Sequence, residues 1–360
     1  MIDAIRAYVA ADWRSHSHPA PRGGLVVGAD KDPRAKVTYL FFGDRGDPIV
    51  AAKVARSVAA ERALADEYTA LRRVWASGAR TVMDTVPRPL GLGRVAGRSV
   101  LVISALPGEP MTTRYYRPGH IRARARVEAD FRAAGAWLAR FQDETRGEAA
   151  TFDGRWFDRW VRRAFERYRT EVGWSEAEEC LVEELERRAA GLEGVRIPTV
   201  GAHGDFWMGN LLVDGGRVTG VIDWEHGRFD WHPFSDVYKF PTSYGSYLDR
   251  AGGGRTGRVA GHRAHAEHRS GGHEWRNLAG LRYAWFGRGW FPDLVRWYVG
   301  GQLRRLAVPS AVNAVFFPVF LAEQAVAQTD PEFRDGFRSA LLDLARRDRT
   351  EWLWTSEMAA

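Results

Sequence analysis

The first hundred residues carry the hydrophobic pattern of a small β-rich region. Three runs of β-branched and aromatic residues, GLVVGA from Gly24, KVTYLFF from Lys36 and PIVAAKVA from Pro48, are separated by the turn-forming stretches DKDPR and GDRGD. This alternation predicts an antiparallel meander. A preceding helix is indicated by apolar residues at helical spacing, namely Ile2, Ile5, Val9 and Trp13.

One helix and two further strands follow the meander. The stretch ERALADEYTALRRVWA places Leu64, Tyr68, Leu71 and Trp75 on one apolar stripe. Two β-rich runs come next and end at Pro107 and Gly108, which we interpret as a hinge.

Beyond the hinge the pattern becomes mostly helical. Aromatic and aliphatic residues recur every three or four positions in DFRAAGAWLARFQDET and RWFDRWVRRAFERYRTEV. The stretch SEAEECLVEELERRAA begins with Ser175 and Glu178 in a capping-box pattern, and it contains the one cysteine, Cys180, which we interpret as a small buried side chain. An apolar stretch at 306–322 is interrupted by two prolines and is short for a membrane span, so we expect a buried helix and no transmembrane segment.

Residues 250–273 break this pattern. The segment is rich in Gly, Arg and His and offers almost nothing to bury, so we interpret it as a flexible insertion. The order of elements predicts an α+β fold with two lobes and a cleft between them. The first lobe, residues 1–105, carries an antiparallel sheet, and the second, residues 106–360, is mainly helical.

Composition and charge narrow the function classes. The chain of 360 residues is 45% hydrophobic with a net charge of +7, which suits a globular protein. Its basic residues are almost all arginines, spread along the chain among acids, so we do not expect nucleic-acid binding, and RNA binding remains a weaker alternative. Only four lysines occur: Lys31, Lys36, Lys53 and Lys239. A single cysteine excludes an internal disulfide framework, and the N-terminus lacks a signal-peptide pattern, so we expect a cytoplasmic protein.

Three polar residues stand where the flanking sequence is apolar. Asp205 and Asn210 lie in HGDFWMGN, and Asp223 follows the strand-like VTGVI. A carboxylate among hydrophobic residues is costly unless a partner compensates it. Hard oxygen ligands that converge on one point suit Mg²⁺, which completes its coordination with water and phosphate. The remaining acid, Asp205, would then orient a substrate hydroxyl and accept its proton.

The first lobe supplies the opposite charge. Lys53 lies in the middle of a predicted strand among small apolar residues, and Glu67 lies fourteen positions later on the predicted helix. Such a pair would hold the ammonium against nucleotide phosphates. Two alternatives remain open: Lys53 as a protective edge-strand lysine, and Glu61 as the partner on the same helix.

These motifs resemble those of the aminoglycoside phosphotransferase family, small-molecule kinases with a protein-kinase-like fold. HGDFWMGN is similar to the family's H-G-D-x-x-x-x-N signature, and VIDWE is similar to its I-D-[WFY]-[ED] signature. The resemblance implies that Asp205 is the catalytic base, that Asn210 and Asp223 are magnesium ligands, and that Lys53 and Glu67 anchor the phosphates of ATP or GTP.

Further roles follow from the same resemblance. His203 would be a structural member of the catalytic loop, residues 203–210, and Asp236 in HPFSDVYKF would brace that loop by accepting backbone N–H bonds. The linker Ser104, Ala105 and Leu106 is similar to the segment that holds the nucleotide base.

The sequence departs from the kinase pattern at two places. The first hairpin has no G-x-G-x-x-G, since GADKDPRAK contains one glycine, and no A-P-E segment follows Asp223. The second departure favours a small hydroxylated acceptor over a protein. We therefore predict an ATP- and Mg²⁺-dependent phosphotransferase acting on a sugar, amino alcohol, aminoglycoside-like molecule or glycan intermediate. The alternative is a nucleotide-binding regulatory module of the same fold without catalysis.

Three further features have competing interpretations. Glu225 either reaches the metal or supports the site indirectly. The histidines at 262, 265 and 268 form either a metal site or, as we expect, part of a solvated loop. The arginines between 114 and 126 form either a solvated helix face or a site for an anionic substrate or membrane surface.

Overall fold

The computed structural model describes residues 2–15, 23–27, 35–251, 259–268 and 278–346. The chain divides into two compact units. Unit 1 consists of Met1–Arg114, Arg140–Thr145 and Gly201–Trp231. Unit 2 consists of Tyr115–Ala139, Arg146–Val200 and His232–Ala360. The candidate residues at 203–223 therefore belong to the same unit as the N-terminal sheet.

The elements, in chain order, agree with a β-rich beginning and a helical remainder. The strands are β1 (Gly23–Val27), β2 (Lys36–Phe42), β3 (Pro48–Ala55), β4 (Pro89–Val95), β5 (Arg98–Ser104), β6 (Glu109–Pro110), β7 (Ala149–Thr151), β8 (Arg196–Pro198), β9 (Val200–Ala202), β10 (Leu211–Asp214), β11 (Arg217–Val221) and β12 (Arg228–Trp231). The helices are α1 (Ile2–Ser15), α2 (Val58–Ala76), α3 (Met111–Tyr115), α4 (Arg124–Glu144), α5 (Gly154–Phe157), α6 (Arg163–Glu171), α7 (Glu176–Ala190), α8 (Phe234–Ser246), α9 (Leu248–Ala251), α10 (Ala279–Phe286), α11 (Trp290–Leu306), α12 (Asn313–Ala327) and α13 (Pro331–Arg346).

The sheet of unit 1 has five antiparallel strands in the order β1-β2-β3-β5-β4. The first three form the predicted meander. The next hairpin joins through β5, whose residues Val100 to Ser104 pair with β3, so that β4 lies at an edge. Ile5 and Val9 of α1 belong to one buried cluster with the valines and Ala52 of β3, the valines of β5, Phe41 of β2 and Val95 of β4. Burial of these apolar surfaces stabilises the sheet, and Lys53 is held in its interior on β3.

Helix α2 carries Glu67, and its start is well defined. Ser57 is in an extended conformation and its side-chain oxygen accepts a hydrogen bond from the Ala60 N–H at 3.0 Å. This is the N-cap geometry that satisfies one of the free N–H groups of the first turn. The buried face of the helix includes Leu64, Glu67 and Leu71, which lie three and four residues apart.

A second sheet of unit 1 presents the candidate loop. Strands β10 and β11 form a hairpin, and β6 pairs with β10. The predicted hinge is bonded to this hairpin, because the Pro107 carbonyl accepts a hydrogen bond from the Thr219 hydroxyl at 2.7 Å. Gly108 has φ +110°, and a Cβ there would come within 2.3 Å of Thr219 Oγ1, so glycine is required.

Unit 2 corrects two details of the sequence interpretation. Ser175 is the N-cap of α7, but its hydroxyl contacts the Glu178 carboxylate and makes no side-chain bond to the backbone of the helix. Glu178 is buried and also accepts hydrogen bonds from Tyr168 and Arg338, both at 2.9 Å. Cys180 is exposed, contrary to our interpretation, because α7 buries the stripe that starts at Glu178 and Leu181.

The predicted insertion at 250–273 is only partly within the described residues. Residues 252–258 and 269–277 lie outside them, as does the tip of the first hairpin at 28–34. Within 259–268, the expectation of a segment with nothing to bury is wrong. His262 and His265 are each 1% exposed. The prediction from composition failed because the residues buried here include histidines, whose imidazole rings have polar partners, in place of aliphatic side chains.

One helical stretch of the described residues, Ser310–Ala327, which consists of a short 3₁₀ turn and α12, is long and apolar enough to cross a membrane. Most of it is buried inside unit 2, where it packs against α6 and α13. The prediction of a buried helix in this region agrees with that packing.

Replacement of Ser57 by Ala removes the N-cap of α2 and should lower the free energy of unfolding by about 1 kcal/mol. Ser57→Asp keeps an accepting oxygen and should remain close to wild type. Urea unfolding followed by circular dichroism measures both. Equal stability of wild type and Ser57→Ala would show that the cap contributes nothing.

Candidate active site

Lys53 is the centre of a buried cluster of charges in unit 1. It lies on β3, where β2 and β5 pair with it on either side, and it is 5% exposed. Its Nζ is 2.5 Å from Oε1 of Glu67, which is fully buried, and it also forms an ion pair with Oδ1 of Asp223. Glu61 instead contacts Arg94 at the exposed start of the helix. The structure therefore brings Lys53, Glu67 and Asp223 together.

The cluster shifts the pKa values of its members. Burial alone would lower the pKa of Lys53, but the Asp223 and Glu67 carboxylates outweigh it and raise that pKa. Burial would likewise raise the pKa of Asp223, yet the ammonium groups of Lys53 and Lys36 lower it to about 2. Lys53 and Asp223 are therefore both charged at neutral pH.

His203 holds the candidate catalytic loop to the strand end that precedes Asp223. Its Nε2 donates a hydrogen bond to the Ile222 carbonyl at 2.9 Å, and its Nδ1 accepts the Asp205 N–H at 3.3 Å. One neutral imidazole tautomer satisfies both bonds. The ring also packs edge-on against Trp224, with centroids 4.6 Å apart. His203 thereby connects Asp205 to the segment that carries Asp223.

Gly204 gives the loop its sharp turn. Its φ is +80°, and a Cβ at this position would lie 2.3 Å from the His226 carbonyl oxygen. A side chain is therefore excluded both by backbone conformation and by space. The glycine between His203 and Asp205 is a requirement of the close contact with the chain after Asp223.

Asn210 links the two ends of the loop. Its Nδ2 donates to the Asp205 carbonyl at 3.0 Å and to Asp205 Oδ2 at 3.1 Å. Its own carbonyl accepts the Ile222 N–H at 3.0 Å. The amide nitrogen is thus directed at Asp205, and the amide oxygen remains the group suited to a cation.

The donors present fit a magnesium ion. The Asn210 amide oxygen and the Asp223 carboxylate are hard oxygen ligands, and Mg²⁺ is commonly held by one or two carboxylates together with phosphate and water. Asp223 has φ +63° and its side chain is 40% exposed, so part of the carboxylate is accessible. Within the residues that the structure describes, no group of three His, Cys, Asp or Glu side chains offers a protein-only metal site. An ion that relies on substrate phosphate is consistent with this arrangement.

Sequence reasoning missed Lys36. Its ammonium forms an ion pair with Oε2 of Glu225 and lies 3.7 Å from Oε2 of Glu67. Glu225 therefore supports the cluster through a lysine, which favours its indirect role over metal ligation. The available signal was that Lys36, like Lys53, is one of only four lysines.

The linker predicted to hold the nucleotide base lies beside an open cavity. Ser104 and Ala105 use their N–H groups in bonds of 3.0 Å to the carbonyls of Arg88 and Ile49. A cavity of about 670 Å³, within the usual range for small-molecule sites, is lined here by residues 47–49 and 105–108, which include Leu106.

Other candidate residues lie in unit 2. Asp236 is buried on α8, and its role in bracing the loop stays a prediction. His262 donates to the Ile121 carbonyl at 2.9 Å, and burial lowers its pKa to about 4. His265 Nε2 lies 2.7 Å from Asp249 Oδ1, and the side chain of His268 lies outside the described residues. These contacts indicate that His262 and His265 contribute to the packing of unit 2.

Comparisons with known proteins bear on the family and the fold of the chain. The model of a family described as the phosphotransferase enzyme family matches residues 37–276, two thirds of the chain. The structure is similar to that of a thermostable mutant of the aminoglycoside phosphotransferase APH(4)-Ia in a ternary complex with ADP and hygromycin B. That match has 14% identity and a TM-score of 0.52, and it covers 93% of this chain and 98% of the other. It confirms the predicted protein-kinase-like α+β fold.

A second solved structure, ADP-bound aminoglycoside phosphotransferase APH(2'')-Ib, has 13% identity to the chain and a TM-score of 0.48. The match covers 92% of this chain and 96% of that one. A comparison with curated protein sequences finds no match.

Lys53→Met leaves Glu67 buried with only the more distant Lys36, and should lower the free energy of unfolding by about 3 kcal/mol. Adding Glu67→Gln removes the uncompensated charge and should recover part of that loss. Chemical denaturation of wild type, both single variants and the double variant measures the coupling. Strict additivity of the two single changes would contradict a direct Lys53–Glu67 interaction.

Asp223 should contribute stability that depends on acid pH. Its folded pKa is depressed from 3.8 to about 2, so the contribution is present above pH 4 and is lost as pH falls through about 2. Because the side chain is 40% exposed, we expect about 1 kcal/mol. The unfolding free energies of wild type and Asp223→Asn should therefore converge between pH 4 and 2, and a pH-independent difference would contradict the lowered pKa.

Proposed function

The chain belongs to the phosphotransferase enzyme family, and we propose that it transfers the γ-phosphoryl group of magnesium-bound ATP to a hydroxyl group of a small molecule. GTP is the alternative phosphoryl donor. Family membership supports phosphoryl transfer. The ion-paired charges around Lys53 in unit 1 support a magnesium-bound nucleotide as the donor.

The observation that carries the proposal is the convergence of three distant segments in unit 1. Lys53 from β3, Glu67 from α2 and Asp223 after β11 form one ion-paired group. The loop that carries Asp205 and Asn210 is hydrogen-bonded to Ile222, the residue before Asp223. A buried lysine with two carboxylates is rarely required for stability, since a protein with apolar residues of similar volume in their place is often equally stable.

In the proposed complex, Lys53 binds phosphate oxygens of the nucleotide while Glu67 keeps its ammonium directed toward them. Asn210 and Asp223 would hold the magnesium ion. A bound Mg²⁺ supplies charge compensation for the phosphates and fixes their geometry. The linker Ser104, Ala105 and Leu106 would hold the base beside the cavity described above.

Asp205 acts on the acceptor. The Asn210 amide holds Asp205 Oδ2, and His203 holds the Asp205 backbone, so the carboxylate has a defined direction. It would accept a hydrogen bond from the acceptor hydroxyl and take its proton as the new O–P bond forms and the bond from the γ-phosphorus to the bridging oxygen breaks. Positioning of this kind accounts for most of the catalysis in phosphoryl transfer.

The acceptor class follows from the family and from the departures in sequence. We propose a hydroxylated small molecule such as a sugar, an amino alcohol, an aminoglycoside-like compound or a glycan intermediate. The similar structure of an aminoglycoside phosphotransferase in complex with ADP and hygromycin B supports an aminoglycoside-like compound among these acceptors.

Asp205→Ala should abolish phosphoryl transfer while leaving nucleotide binding nearly intact. We expect the turnover number to fall by about 10³-fold, because the acceptor hydroxyl loses its base and its alignment. The dissociation constant for MgATP should change by less than about threefold. Turnover is measured as ADP release with a panel of hydroxylated acceptors, and binding by calorimetry.

Asp214→Ala is the matched control, since Asp214 is an exposed acid at the end of β10 in the same unit. It should retain wild-type turnover. Near-normal turnover of Asp205→Ala would contradict the proposed base. Wild-type protein that binds MgATP and phosphorylates no acceptor would favour the alternative, a nucleotide-binding regulatory module.

A further inference from the structure

Lys36 extends the charge cluster beyond the residues assigned so far. It is the first residue of β2 and its side chain is 11% exposed. Its ammonium pairs with Glu225, two residues after Asp223, and approaches the same Glu67 carboxylate that binds Lys53. Two lysines from neighbouring strands therefore share one buried glutamate.

The choice of lysine at this position is informative. The chain has 52 basic residues and only four lysines. The three lysines within the described residues are buried or half-buried, and each has a polar partner: Lys36 and Lys53 in the cluster, and Lys239 with Gln324 at 2.7 Å. Each of these lysines therefore places a compact ammonium with three donors beside a polar partner.

The charge balance shows why a second cation matters. Lys36 and Lys53 stand against Glu67, Asp223 and Glu225, so the cluster has a net charge of −1. Without Lys36, three carboxylates would face one ammonium. A polyanionic nucleotide would then meet repulsion that is strong at short range in a partly buried site.

We propose that Lys36 is a second phosphate-binding cation, which acts beside Lys53 on the triphosphate of the nucleotide. This inference rests on the proposed function. Glu225 holds the ammonium at the cluster through its ion pair. Because the sequence has no G-x-G-x-x-G in the first hairpin, a lysine at the start of β2 supplies phosphate contacts that such a loop would otherwise provide.

A purely structural role would have different consequences. In a purely structural role, Lys36 would only neutralise Glu225 and Glu67. Its loss would then destabilise the cluster and weaken the binding of every ligand to the same extent. If Lys36 is a phosphate ligand, its loss would weaken the binding of ligands that carry phosphate groups more than the binding of ligands that carry none. Comparison of MgATP with adenosine separates the two roles, since adenosine has the same base and ribose and no phosphate.

The test is Lys36→Met in the full chain. Its dissociation constant for MgATP, measured by calorimetry, should rise about tenfold or more, as expected for the loss of a charge-assisted hydrogen bond. Adenosine binding, measured by ligand-observed NMR, should change by less than about twofold. Lys36→Arg keeps the positive charge and should recover part of the MgATP affinity.

Two further variants exclude indirect effects. Arg94→Met removes an exposed ion pair of the same sheet and should bind both ligands as wild type does. The double variant Lys36→Met with Glu225→Gln relieves the carboxylate left behind. If Lys36 binds phosphate, the affinity for MgATP stays weak in the double variant. If the role of Lys36 is only structural, the affinity for MgATP returns, and the inference is overturned.

The remaining outcomes separate the inference from the proposed function. Wild-type protein that binds neither MgATP nor adenosine would overturn the proposed function itself. Wild-type protein that binds both, with Lys36→Met unchanged or weakened equally toward both ligands, would overturn only the role of Lys36. Circular dichroism and thermal unfolding of each variant establish that it is folded before binding is measured.

Discussion

The ion pairs of Lys53 with Glu67 and Asp223 are the constraint on which the rest of unit 1 depends. An ammonium buried in the interior of a sheet is unfavourable unless carboxylates compensate it. The two that do so come from a helix fourteen residues later and from a turn 170 residues later. The sheet, α2 and the segment after β11 must therefore assemble in one arrangement, and this arrangement leaves a concentrated set of charges suited to a metal-bound phosphate.

The loop from His203 to Asn210 depends on the same segment. The His203 ring donates a hydrogen bond to the Ile222 carbonyl, and the Asn210 carbonyl accepts one from the Ile222 N–H. These two bonds fix the loop to the chain just before Asp223. Gly204 permits the close approach because no side chain fits there. A buried imidazole with both nitrogens bonded and an amide shared with Asp205 hold the proposed base without help from a ligand. Such preorganisation is what positioning in phosphoryl transfer requires.

Much of this could be predicted from sequence because the relevant signals are local. The strands β2 and β3 were predicted with their observed bounds, since β-branched runs are flanked by turn residues. The pairing of β5 with β3 was not predicted, because strand order depends on long-range contacts. The Lys36–Glu225 pair was missed for the same reason, because its members are 189 positions apart in the chain. At 259–268, composition suggested a solvated loop, whereas His262 and His265 are buried and have polar contacts.

A crystal structure with Mn²⁺ and a non-hydrolysable ATP analogue, with data collected at the manganese absorption edge, tests directly whether this cluster binds a metal-bound triphosphate. We expect an anomalous peak at bonding distance from the Asn210 amide oxygen and an Asp223 carboxylate oxygen, with Lys53 hydrogen-bonded to a phosphate oxygen. A peak away from both side chains, or phosphates out of reach of Lys53, would contradict this expectation.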